Sequence, residues 1–125
     1  MSVTLEAPAI LVLEPNQNLT VPYQFLTSSY QLTRLHDPLT LVDELSRKQY
    51  QLVMLSCSFS SRKLLQLLET INQAHRDTLL PIALVVDLHQ PYSLVPGLNW
   101  ANKVGLLSSQ SDAASTQLVV KQLID

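Results

Sequence analysis

Glycine is scarce in this chain of 125 residues, where Gly97 and Gly105 are the only two. Average usage of about 7% would supply several more. Phosphate-binding loops and dinucleotide fingerprints need several glycines so that backbone can approach phosphate closely, and both are therefore excluded. Cysteine is scarcer still. Cys57 stands alone, which rules out an internal disulfide framework and fits a reducing cytoplasm. In such a compartment the sequon Asn18-Leu19-Thr20 is a chance match. Charged residues make up only 14% of the chain and the net charge is −2. The basic residues are spread out, at Arg34, Arg47, Lys48, Arg62, Lys63, Arg76, Lys103 and Lys121. No electrostatic footprint for nucleic acid results. No apolar run approaches the roughly 20 residues needed to cross a bilayer, so no membrane partner is expected. The N-terminus lacks the basic stretch followed by an apolar one that marks a secretory leader.

What is present is apolar: 46% of residues are hydrophobic. At this length that predicts one compact domain with one core rather than disorder. AILVLE, from Ala9 to Glu14, is a short apolar run ending in an acid and Pro15, and it predicts a buried strand. A short helix is expected to start near Thr20 or Val21, with Pro22 in its first turn. YQLTRL, from Tyr30 to Leu35, alternates and predicts a second strand. Asp37-Pro38 marks a helix start, because Asp37 can cap free N–H groups and Pro38 suits the first helical position. Pro38, Leu41, Val42 and Leu45 then fall on one helical face. QLVMLS is the third strand, and Ser60 or Ser61 can cap the helix that follows. Its inner face is predicted to be Leu64, Leu67, Leu68 and Ile71, at i, i+3, i+4 and i+7. LPIALVVDL is a fourth strand, with Pro81 tolerable only at its start. From His89 to Asn102 the chain carries Pro91, Pro96 and Gly97, and a loop is expected there with at most a short, irregular fourth helix around Leu98 to Asn102. VGLLS, from Val104 to Ser108, is a fifth strand. Ser111 or Asp112 caps a last helix whose buried face holds Thr116, Val119, Val120 and Leu123.

Apolar strands alternating with amphipathic helices predict a parallel sheet covered on both faces. Five such units in this length predict a flavodoxin-like, doubly wound α/β fold with strand order 2-1-3-4-5. The last helix reaches Asp125 without a tail, which leads us to expect that the natural protein continues into another domain.

On ILVLEPN, HDPLTLVDEL, YQLVMLSCSFSSRKLLQLLETI, LPIALVVD and VGLLSS, the chain resembles a response-regulator receiver (CheY-like) domain from Ala9 to Ile124. The match lies in spacing and apolar content. The chemistry departs from it. Receivers hold Mg²⁺ with an acidic pair after the first strand, where this chain has Glu14 and Pro15. The resemblance places the family's phosphoacceptor aspartate at Ser56, its hydroxyl residue at Val86, and its lysine and following proline at Ser108 and Ser109. Phosphoryl transfer to a carboxylate needs that carboxylate, an oxygen cage for the metal and a cation for the developing charge. Of that set, Glu14 alone keeps a suitable charge. The chain therefore resembles a pseudo-receiver, lacking the phosphoacceptor aspartate. The resemblance implies a non-enzymatic domain of two-component or phosphorelay signalling, or of transcriptional or clock regulation. It would work without a cofactor, through a protein partner such as a sensor kinase, an output domain or a regulator, or through a second copy.

Other chemistries compete at the same residues. Ser56, Ser58, Ser60 and Ser61 form an elbow and helix cap, or else a serine-phosphorylation site of the anti-sigma-factor-antagonist (STAS) type, although SCSFSSRK lacks the glycine-containing turn usual there. Cys57 is an inert thiol or a redox-active one at a helix entrance. His36, His75 and His89 show no metal-ligand spacing. A serine hydrolase would want glycines around its nucleophile, whereas Leu55 and Cys57 flank Ser56. Glu14 is either a solvated carboxylate at the sheet edge or, with Asp87, part of a weak cation site. Tyr92, Leu94, Val95, Leu98 and Trp100 either cover the sheet where a regular helix is missing or, with Leu106 on the fifth strand, form a partner-binding face.

Overall fold

The computed structural model describes residues 7–14, 26, 29–56, 61–74, 79–86, 102–108 and 111–124. Five strands, β1 (Ala9–Leu13), β2 (Gln31–Leu35), β3 (Leu52–Ser56), β4 (Ile82–Val86) and β5 (Val104–Ser108), form one sheet in the order β2-β1-β3-β4-β5. Every adjacent pair is parallel. Strand order and direction are those expected from the alternation of apolar runs and helices. The expected helix near Pro22, the cap at Ser60 and the segment expected to hold the irregular fourth helix up to residue 101 lie outside the described residues, while Ser61 is the first residue of the helix it was expected to cap.

The period-two alternation of each strand sends its side chains into two separate cores. Leu11, Leu13, Val53, Leu55, Ile82 and Leu84 face one side, where they meet α1 (Leu41–Arg47) through Leu41 and Leu45, and α2 (Ser61–Ala74) through Leu64, Leu67, Leu68 and Ile71. Ile10, Val12, Leu52, Met54, Ala83, Val85 and Leu107 face the other, against Leu26 and against Val120 and Leu123 of α3 (Ala113–Ile124). Continuous apolar strands make sense only in a sheet buried this way, because each residue then contributes to one core or the other.

The helix starts follow from local chemistry. Asp37 Oδ1 accepts the Leu39 N–H at 3.0 Å, and a 3₁₀ turn over Pro38–Thr40 leads into α1. One expectation fails here. Val42 is 50% exposed instead of lying on the inner face of α1. Glu44 takes a buried place beside Leu41 and Leu45, so the helix is rotated toward Tyr50. Tyr50 Oη donates to Glu44 Oε1 at 2.5 Å, and Arg47 donates to Oε2 at 2.7 Å. At the N-terminal edge of the sheet, the Asn72 and Asn102 side chains exchange two hydrogen bonds of 3.0 and 2.8 Å, and Asn102 also donates to the Leu80 carbonyl at 2.7 Å. The buried Asn102 amide is thereby satisfied.

Gly105 lets α3 lie close against β5. A Cβ there would stand 2.9 Å from Leu123 Cδ1 and 3.0 Å from Val119 Cγ1. Leu123 is buried and Val119 is β-branched, so neither yields freely. Gly105→Val is expected to cost about 2 kcal/mol through overpacking, read as a lower urea midpoint with unchanged slope.

The Glu44–Tyr50 contact gives the domain two pH edges. The Tyr50 hydroxyl, before the Arg47 guanidinium, holds the Glu44 carboxyl below its ordinary value. Burial, and then Glu44, push the Tyr50 phenol up to about 12. A lowered carboxyl value contributes stability that is present above the ordinary carboxylate range and is lost as pH falls through the folded value. A raised phenol value contributes stability that is present below about 10 and is lost as pH climbs toward 12. Tyr50→Phe should therefore move acid unfolding to higher pH and remove the alkaline loss, as measured by thermal midpoints across the pH range.

Candidate functional site

In a doubly wound sheet, polar groups concentrate where strands end, because the strands themselves are buried on both faces. Leu13 pairs with Leu55, Ser56 with Val85, and Val86 with Ser108. This register brings the backbone of Glu14, Ser56, Val86 and Ser108 to the C-terminal edge of β1, β3, β4 and β5. Of the six positions that the sequence resemblance assigns to a phosphorylation pocket, these four therefore share one edge, and Ser109 lies outside the described residues. Pro15 lies outside the described residues.

Glu14 is the centre of this edge, and it is not solvated. It is 0% exposed, which overturns the expectation of an open carboxylate. Its Oε1 accepts from Arg34 Nη2 in an ion pair. Arg34 sits one residue before the end of β2, opposite Val12, so its side chain lies beside the residue that follows β1. Glu14 N–H donates to the Leu35 carbonyl at 3.1 Å, and His36 Nδ1 lies 3.3 Å from the Glu14 carbonyl oxygen. Backbone and side chain together tie Glu14 to the end of β2. Its Oε2 finds no hydrogen-bond partner among the described residues.

These residues do not fit the Mg²⁺ that the receiver fold implies. Mg²⁺ demands near-octahedral oxygen coordination and gives up its waters reluctantly. Here one oxygen of Glu14, the one carboxylate at this edge among the described residues, is engaged by a guanidinium. Among the described residues, no group of three or more His, Cys, Asp and Glu could hold a metal ion. Asp87, the other acid considered for a cation site, lies outside the described residues, as do His75 and His89.

At the end of β5, Ser108 opens a hydroxyl turn. Its N–H donates to Ser111 Oγ at 2.9 Å, the two hydroxyl oxygens lie 3.3 Å apart, and Ser111 N–H donates to the Ser108 carbonyl at 3.1 Å. Asp112 then caps α3 by accepting the Ser115 N–H at 2.8 Å, and this backbone hydrogen bond, with one from the Ser115 hydroxyl, lowers its carboxyl value. Where the resemblance would put a lysine, this chain has neutral hydroxyls followed by an anion.

Of the residues proposed for partner binding, Leu106 is 50% exposed on β5. Tyr92, Leu98 and Trp100 lie outside the described residues, and so do Cys57, Ser58 and Ser60. Two features escaped the sequence. Arg34 was one scattered cation among eight; only its register against β1 makes it the partner of Glu14. Leu118 of α3 is 57% exposed, away from the helix face that holds the buried Thr116, Val120 and Leu123.

No protein-family model matches the chain, and no curated protein matches it. Solved structures do share its fold. A signal receiver domain of an HD domain-containing protein from Pseudomonas fluorescens is 20% identical, with a TM-score of 0.73 over 95% of each chain. A response regulator receiver protein from Sinorhizobium medicae is 17% identical, with a TM-score of 0.72 over 97% of each chain. NtrX from Brucella abortus, in complex with ADP, superposes with a TM-score of 0.75 at 17% identity, over 94% of this chain and 26% of that one. The fold is the CheY-like, flavodoxin-type fold, and the first two of these neighbours are receiver proteins.

Removing Arg34 should leave Glu14 buried without its counter-charge. Arg34 is itself 35% exposed. Arg34→Ala is therefore expected to cost roughly 2–4 kcal/mol, somewhat less than breaking a fully buried pair. Glu14→Met combined with Arg34→Ala should recover most of that loss, and chemical denaturation of the full double-mutant cycle measures it.

Proposed function

We propose that this chain is a pseudo-receiver, a non-enzymatic signalling module that works by protein–protein contact without aspartyl phosphorylation. One observation carries the proposal: β3 ends on Ser56 where a phosphorylatable receiver needs its acceptor carboxylate, and the remaining acid, Glu14, is engaged by Arg34. Serine could accept phosphate only with a base to activate its hydroxyl. The turn after β5 also lacks the lysine that would meet developing negative charge. The fold remains while the chemistry does not, which leaves surface as the working part.

The surface favoured for this work is formed by β5 and α3. Val104 and Leu106 on the edge strand and Leu118 on α3 are large, apolar and exposed. The sequence adds Tyr92, Leu98 and Trp100 as candidates for the same role, and these lie outside the described residues. The occupant of this surface is a sensor kinase, an output domain or regulator, or a second copy of the chain. No helix among the described residues is long and apolar enough to cross a membrane.

The test pairs two measurements. Wild-type protein incubated with acetyl phosphate and Mg²⁺ should keep its intact mass, and a gain of one phosphate would overturn the non-phosphorylatable assignment. Affinity capture from native lysate should recover a signalling protein with wild-type bait. Recovery should fall at least about tenfold with the Leu106→Asp, Leu118→Asp variant, in keeping with the loss of a central apolar anchor. Equal recovery by a folded variant would sink the proposed face, and phosphate on Ser56 of natively purified protein would favour a serine-phosphorylated regulatory module instead.

A further inference from the structure

We infer that the Arg34 guanidinium is the resident cation of the pocket at the end of β1, taking the electrostatic role that a divalent metal would have there and excluding that metal. The inference deepens the pseudo-receiver proposal. It rests on that proposal only in taking this strand edge as the site a phosphorylatable receiver would use.

Glu14 is completely buried. A carboxylate so placed needs compensating charge, because burial without it costs several kcal/mol. The register of β1 and β2 supplies that charge in fixed form, by setting Arg34 opposite Val12, two residues before Glu14. A guanidinium is weakly hydrated, so it enters a desolvated site more readily than a strongly hydrated Mg²⁺. That of Arg34 is also tethered to the neighbouring strand and does not dissociate into solvent. A metal competing for this position would have to take Glu14 Oε1 from Arg34 and would find Oε2 as its other carboxylate oxygen. The Glu14 carbonyl already faces His36 Nδ1. Two oxygens of one carboxylate are too few to displace a built-in cation, and once Arg34 is gone the uncompensated charge of Glu14, rather than a finished coordination cage, is what would draw a cation from solution.

The experiment compares wild type, Arg34→Ala, and Arg34→Ala combined with Glu14→Met. Thermal midpoints are measured with about 10 mM MgCl₂ and with NaCl of equal ionic strength, since a ligand that binds the folded state raises its midpoint. Bound Mn²⁺ is counted by loss of the free-ion paramagnetic signal. The wild-type midpoint is expected to be the same in both salts, with no Mn²⁺ bound. Arg34→Ala should drop by roughly 5–15 °C, regain part of that drop in MgCl₂ but not in NaCl, and bind one Mn²⁺ per chain. The double variant should show neither rescue nor binding. If Arg34→Ala does not fold without metal, folding on addition of Mg²⁺ supports the inference. Failure to fold with Mg²⁺ while the double variant folds overturns it. So does a Glu14-dependent rise of the wild-type midpoint in MgCl₂, or a folded Arg34→Ala that takes up no Mn²⁺. All these outcomes leave partner capture untouched, so failure of the resident cation and failure of the proposed function are separable.

Discussion

The constraint on which the rest depends is burial of the sheet on both faces. β1 and β3 lie at its centre, and Ile10, Leu11, Val12, Leu13, Leu52, Val53, Met54 and Leu55 are all shut off from solvent. Such strands can carry no exposed polar group along their length. Two cores form at once, one under α1 and α2 and one under α3. Every polar side chain that is to act in this sheet is driven to a strand end or an outer strand. Glu14, Arg34 and Ser108 are there for that reason, and the C-terminal edge becomes a site whether or not chemistry remains in it.

Among the described residues, what occupies that edge is an ion pair between Glu14 and Arg34. A buried ion pair is weak evidence for added stability, since desolvation offsets much of its attraction. What it does in the structure is join the residue after β1 to the end of β2. Glu44 and Tyr50 act comparably lower in the sheet, holding α1 to the start of β3 through a short hydrogen bond. The two acids illustrate how differently a carboxylate can be accommodated. Glu44 has two donors for its two oxygens, whereas Glu14 has one described donor and an oxygen left over.

Most of the fold was legible in the residues. Strand runs such as ILVL and LVML, the i, i+3, i+4, i+7 leucines of α2 and the capping residues Asp37 and Asp112 are local signals, and local sequence determines them. The places of Ser56, Val86 and Ser108 at one edge followed from strand order alone. What could not be read was contact between elements. The exposure of Val42 depends on Glu44 turning inward to Tyr50, a choice made by tertiary packing. The burial of Glu14 depends on Arg34, twenty residues away in sequence and adjacent only once β1 and β2 are paired. Periodicity places a residue on a face but does not name its neighbour across the gap.

The close seat of α3 on β5 has a mechanical consequence. With Gly105 leaving no clearance beneath Val119 and Leu123, the strand cannot slip under the helix without forcing those side chains apart. Lys103 adds a tether, its Nζ donating to the Gln122 carbonyl at 3.0 Å. Strand and helix therefore behave as one plate at the margin of the sheet. A displacement of α3 would therefore have to carry β5 with it or open the seam between Gly105 and Leu123.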